Sequence, residues 1–201
     1  MLLATIVGSG IMANSLSGGN VAVALLANSI ATGAMLVVLI TLFGPISGAH
    51  FNPAVSLVAM LSRELPVAAF LVYVATQTAG AIAGVQLAHV MFDLPALQVS
   101  ETTRTGTGLL VSESVATFGL VLAILLTVQN RPQWVGVIVG LYIASAYWFT
   151  ASTSFANPAV TVGRMATNTF AGIAPASAPA FIGAQLAGAV LALAMARHLA
   201  R

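Results

Sequence analysis

Apolar positions fall along the chain in long unbroken runs, not in alternation, and glycine, proline and small polar groups punctuate them. Six runs are long: Leu2 to Ala13, Val21 to Leu42, Pro66 to Phe92, Gly108 to Val128, Trp134 to Phe149 and Pro179 to Met195. Such runs predict helices that cross a bilayer, which takes ~20 apolar residues. The first is short. At 1.5 Å per residue it covers roughly 20 Å of a ~30 Å hydrocarbon core, so the expectation is a shortened start or a helix that begins inside the membrane. A cleaved signal peptide wants a basic n-region, and none precedes Leu2. Two further apolar pieces, Phe51 to Leu61 and Phe155 to Met165, are each about half a crossing, and both begin at an Asn-Pro-Ala tripeptide.

Composition strengthens the membrane reading. Of 201 residues, 59% are hydrophobic and 5% charged, against roughly 25% charged in an ordinary soluble domain. Met1 to Ser62 holds no Asp, Glu, Lys or Arg. The lipid bilayer is therefore the expected solvent. The net charge of +2 comes from six arginines against four acids; it reflects scarce acids and makes no basic patch for nucleic acid. With no cysteine, disulfides, thiol catalysis and Cys-based metal sites are excluded. Arg63, Arg131, Arg197 and Arg201 fall on one side of the predicted spans, Arg104 and Arg164 on the other. The positive-inside rule then puts the first group, and both termini, in the cytoplasm.

The chain repeats itself. Asn52 and Asn157 lie 105 residues apart, and "QTAG" at Gln77 is echoed by "QLAG" at Gln185, 108 residues on. The polar stretch "DLPALQVSETTRTGT", Asp93 to Thr107, is the natural seam, giving halves 1–98 and 99–201 with half-helices expected at 53–62 and 158–165. Three spans per half is an odd number, so the second copy must enter from the opposite face as an inverted repeat. Paired interrupted segments in inverted halves point to a permeation site.

Asn-Pro-Ala is a compact helix start. A helix that begins inside the membrane exposes its first N–H groups, each costing several kcal/mol in hydrocarbon if unanswered. The side-chain oxygens of Asn52 and Asn157 can accept from them. Pro53 and Pro158 have no N–H to orphan and a helical φ, and Ala54 and Ala159 continue the helix. Two such starts from opposite faces would meet near the midplane with their positive ends opposed, repelling cations. Each asparagine would keep its amide NH₂ to donate into the space between. Backbone of Gly48, Ala49, His50, Thr153, Phe155 and Ala156 is expected to line that space, since irregular backbone at membrane depth is tolerated around an aqueous cavity. The expected product is a narrow pore for small neutral solutes.

The duplicated halves, "SGAHFNPAV", "SFANPAV" and the matched "QxAG" pair resemble the aquaporin, or major intrinsic protein, family over essentially the whole chain. The resemblance implies an all-α membrane fold of six transmembrane helices and two re-entrant half-helices, a homotetramer with one pore per subunit, and passage of water or small neutral solutes without a cofactor. It also implies a filter of four residues. Thr32 stands twenty before Asn52, Ser154 three before Asn157, and Val160 three after it, where the family usually has arginine. The fifth-helix position is Tyr147 counted from Gly140, or Ser145 counted back from Asn157. Arg164, one turn beyond Val160, is expected nearer the outer mouth. Val in place of Arg, with "ANSIATGA" and "STSFANPAV", is similar to a bacterial subgroup associated with arsenical resistance, which implies the bacterial inner membrane and adds metalloid acids to the candidate solutes.

Remaining polar residues read structurally. Glu113 is expected to bond the re-entrant loop, as the resemblance implies, and Gln77 and Gln185 to brace the loops. His50 has no second ligand at metal spacing and reads as loop-bracing or pore-facing. A proton-coupled transporter would carry midplane charges, and Glu113 is the single acid inside a span. A non-conducting structural protein of the same fold is the other alternative. No nucleophile–base pair, metal cluster or phosphate loop suggests an enzyme.

Overall fold

The computed structural model describes residues 1–199, so Arg201 of the topology argument lies outside the described residues. They form α1 (Leu2–Leu16), α2 (Val21–Ser47), α3 (Pro53–Leu61), α4 (Val67–Met91), α5 (Thr107–Asn130), a 3-10 turn (Pro132–Trp134), α6 (Val135–Phe149), α7 (Pro158–Met165) and α8 (Ala178–Leu199). The architecture is the all-helical one read from the sequence: six long helices and two half-helices. Four of the long helices, α2, α4, α5 and α8, run to 22–27 residues and are long and apolar enough to cross a membrane. The other two, α1 and α6, have 15 residues each, about 22 Å. Apolar side chains such as Ile30, Leu71, Val72, Leu141 and Leu191 stand outward and exposed on these helices, as a multi-pass integral membrane protein requires.

Small residues set the helix spacing. A Cβ on Gly33 of α2 would lie 2.6 Å from the Gly140 carbonyl oxygen of α6, and a Cβ on Gly140 would lie 2.5 Å from that of Gly33. The two backbones therefore touch, the close approach that small residues allow in lipid. Gly188 of α8 lies in the same way against the Ser114 carbonyl of α5. Polar pins add to this packing: Asn28 of α2 donates to the Ile6 carbonyl at 2.9 Å and to Ser9 Oγ at 2.8 Å, holding α1. Leu3, Val7, Val85, Ala88 and Val160 make a core between α1, α4 and α7.

The expected seam is woven into the fold. Ser100 N–H donates to the Met165 carbonyl, Ala174 N–H to the Thr102 carbonyl and Arg104 N–H to Ser177 Oγ, so residues 92–106 pair with the segment between α7 and α8. On the opposite end, Arg197 donates to the Leu61 carbonyl at 2.9 Å, tying α8 to α3.

Candidate functional site

Each half-helix starts as the tripeptide chemistry dictates. Asn52 has an extended φ of −154° and its Oδ1 accepts from Ala54 N–H at 2.9 Å. Asn157, at φ −159°, accepts from Ala159 N–H at 2.9 Å and Val160 N–H at 3.2 Å. Pro53 and Pro158 take the first helical position.

The amide nitrogens do something the tripeptide alone does not reveal. Asn52 Nδ2 donates to the Ala156 carbonyl and Asn157 Nδ2 to the Phe51 carbonyl, both at 2.8 Å. Each asparagine thus caps its own helix and grips the loop before the other one. An amide NH₂ has two protons, so one on each asparagine remains for a solute. The loops reach each other through matched backbone conformations. Ala49 and Phe51 have φ of 48° and 49°, and Ser154 and Ala156, at the same 105-residue offset, have 48° and 47°. Left-handed backbone is unfavourable by roughly 1–2 kcal/mol for a residue with a Cβ, and the cross-loop bonds hold it there.

One cavity of about 340 Å³ contains both asparagines. Glu64 and Gln129 stand at one end of it, Tyr147 and Arg164 at the other. Thr32, Tyr147, Ser154 and Val160 all line it, and all are buried. Tyr147 OH lies 3.3 Å from Thr32 Oγ1, whereas Ser145 is exposed on the outer side of α6; of the two, Tyr147 faces the cavity. Ser154 Oγ is buried without a hydrogen-bond partner. Gly48, Ala49, His50, Phe155 and Ala156 line the cavity as expected. Thr153 does not: its N–H closes a turn on the Thr150 carbonyl, which carries it away from the wall.

Behind the loops lie two related clusters. Glu113, fully buried, accepts from Phe155 N–H and Ala156 N–H at 2.9 Å each and from Gln185 Nε2 at 2.6 Å. Gln185 also donates to Thr161 Oγ1 at 2.9 Å. In the first half Gln77 donates to Ser56 Oγ at 3.0 Å, and His50 Nδ1 meets the same hydroxyl at 3.1 Å. The glutamines therefore touch the hydroxyl one turn into each half-helix; the re-entrant loop of the second half is held by Glu113. No acid joins the first cluster, and Gln77 Oε1 is left buried and unpartnered.

Two residues gain importance beyond the sequence reading. Arg164, expected nearer the outer mouth, is 3% exposed and lines the cavity. Its guanidinium carbon lies 3.4 Å from the Phe155 ring centroid, and its Nε donates to the Ala171 carbonyl. His89, fully buried, links Ala96 O at 3.0 Å to Thr167 Oγ1 at 2.8 Å, joining α4 to the segment after α7. Neither has a local signal, because the partners are contributed by irregular segments. In the loop between α4 and α5, Arg104 donates from Nε to the Gly172 carbonyl at 2.9 Å, and burial holds its pKa below the ordinary arginine value. Among the described residues no three His, Cys, Asp or Glu side chains are grouped to hold a metal ion.

Comparison with known proteins agrees with this geometry. The family model described as Major intrinsic protein matches residues 1–155. The chain is 58% identical over 199 residues to Aquaglyceroporin AqpS of Rhizobium meliloti (strain 1021), covering 99% of this chain and 85% of that protein. It is 33% identical over 156 residues to Aquaporin NIP2-1 of Zea mays, covering 74% of this chain and 52% of that one. Among solved structures, the aquaglyceroporin from Plasmodium falciparum superposes with a TM-score of 0.69 at 20% identity, over 96% of this chain and 89% of that chain.

Proposed function

We propose that this chain, which belongs to the major intrinsic protein family, conducts water, glycerol-like polyols and arsenous or related metalloid acids through the cavity that holds Asn52 and Asn157. It is a passive membrane channel and not an enzyme. The observation that carries the solute reading is the meeting of two capped helix N-termini, joined by reciprocal 2.8 Å bonds, on the wall of one cavity. Their positive ends disfavour a cation, while the remaining amide proton of each asparagine offers a neutral hydroxyl a donor. The rest of the inner wall is largely apolar, with Leu36, Ile40, Val55, Leu120 and Val139. A solute therefore slides along one polar rail.

Thr32, Tyr147, Ser154 and Val160 form the selectivity filter in this reading. A valine where the family usually has arginine makes the passage less polar, which favours glycerol-sized neutral solutes over water alone. We place the protein in the bacterial inner membrane as a homotetramer with cytoplasmic termini, each subunit an inverted repeat. The 58% identity to a protein named as an aquaglyceroporin supports the solute class.

Stopped-flow light scattering on proteoliposomes tests it. Water, glycerol and arsenous acid should enter protein-containing vesicles faster than empty ones, without saturation and without dependence on a proton gradient. Uptake no faster than in empty vesicles removes the proposal, and gradient-coupled, saturable uptake replaces it with a transporter.

A further inference from the structure

Val160 leaves the expected filter position uncharged, yet a charge stands one turn away. On a helix, residues four apart share a face, and side chains lean toward the N-terminus. Arg164 of α7 is therefore on the same face as Val160 and reaches back toward it, and both line the cavity that holds Asn52 and Asn157. What holds Arg164 is uncharged: the Ala171 carbonyl at Nε and the Phe155 ring face. Since Nε alone makes the bond to Ala171, four of the five guanidinium donors remain on its two Nη groups. The charge is neither neutralised by that partner nor free to swing.

Its seat is rigid. Phe155 packs edge-on against Phe181, with ring centroids 5.3 Å apart, and Phe181 is fully buried. Arg104 approaches the same Phe155 ring, its guanidinium carbon 5.1 Å from the centroid, and bonds to Gly172, the residue after Ala171. Gly172 has no room for a Cβ, which would lie 2.5 Å from the Thr167 carbonyl oxygen and against Ser100 Oγ. The carbonyl that fixes Arg164 is thus set by a closely packed turn.

The geometry points to Arg164 as a displaced specificity-determining charge: stacked on Phe155, the residue after Ser154 with its unpartnered hydroxyl, it excludes cations from a filter that Val160 leaves neutral. This rests on the channel reading above. The separation of duties follows. Val160 gives width to the constriction, and Arg164 gives it sign. For unit charges ~5 Å apart at an intermediate dielectric, repulsion lowers cation occupancy by about a hundredfold.

The test measures glycerol and sodium entry into the same proteoliposomes, the second with an encapsulated sodium dye. Wild type should admit glycerol and hold back sodium. In Arg164→Leu, and in Arg164→Gln, which keeps a donor for Ala171, the sodium-to-glycerol permeability ratio should rise at least about tenfold. Arg164→Lys, which keeps the charge, should hold the ratio near wild type, and so should Arg131→Gln, whose side chain is exposed and off the cavity wall. The inference is overturned if folded Arg164→Gln keeps the wild-type ratio, if it loses all conduction, or if Arg131→Gln leaks sodium equally. Failure of wild type to admit any neutral solute is a different result, and refutes the channel proposal instead.

Discussion

Replacing Glu113 by alanine removes the acceptor of three buried donors: the N–H groups of Phe155 and Ala156 and the amide of Gln185. Each donor left unsatisfied costs about 1–3 kcal/mol, so the bare sum runs from about 3 to 9 kcal/mol. The vacated volume, the size of a glutamate side chain beyond Cβ, admits water, which answers part of the demand and brings the expected loss to about 3–5 kcal/mol. At about 2–4 °C per kcal/mol for a chain of this size, the melting temperature should fall by about 6–20 °C. Glu113→Gln keeps one acceptor oxygen but turns an NH₂ toward a donor, and should lose about 1–3 kcal/mol. Detergent-solubilised protein, heated in steps and scored by its monodisperse fraction on gel filtration, gives the shift. A Gln185→Leu partner completes a double-mutant cycle in which the pair should be non-additive. Unchanged melting with unchanged solute flux in Glu113→Ala would show that the carboxylate does not hold the second loop, and the bracing argument would be wrong.

Further expectations concern the filter and the packing. Val160→Arg adds a second guanidinium close to Arg164 and should cut glycerol flux at least about tenfold while water flux stays measurable, since a fixed donor and added bulk narrow the passage; equal loss of both solutes would show blockage and not selection. Ser154→Ala removes a hydroxyl with no protein partner, so melting should move by less than about 0.5 kcal/mol equivalent while glycerol entry, read by stopped flow, falls severalfold. Gly140→Ala sets a Cβ 2.5 Å from the Gly33 carbonyl oxygen and 2.6 Å from Val37 Cγ2, and overpacking of this kind should cost about 1–3 kcal/mol, visible as a lower melting temperature.

What was legible in the sequence was local. The long helices announce themselves by apolar run length, and the half-helices by a capping residue followed by proline, because both signals depend on neighbours within a turn or two. Thr32, Ser154 and Val160 follow from counting along regular helix and loop. Tyr147 against Ser145 could not be decided that way, since the chain leaves helical order at Thr150 and the count loses its register; only burial separates them. The destinations of the asparagine NH₂ groups lie more than 100 residues away. Arg164 depends on the carbonyl of Ala171, in a segment without periodicity. Its reach back along α7 is a property of helical side-chain direction that residue counting does not carry.

The crossed asparagine bonds bear on how the chain is made. A nascent chain that has delivered Asn52 but not yet Ala156 has a donor and the Phe51 carbonyl both waiting, inside lipid, for a segment still on the ribosome. The first re-entrant loop is therefore a provisional structure throughout synthesis, and it latches only when the second arrives. A product truncated before Ala156 would leave both the Asn52 amide and the Phe51 carbonyl without the partners that close the two loops on each other.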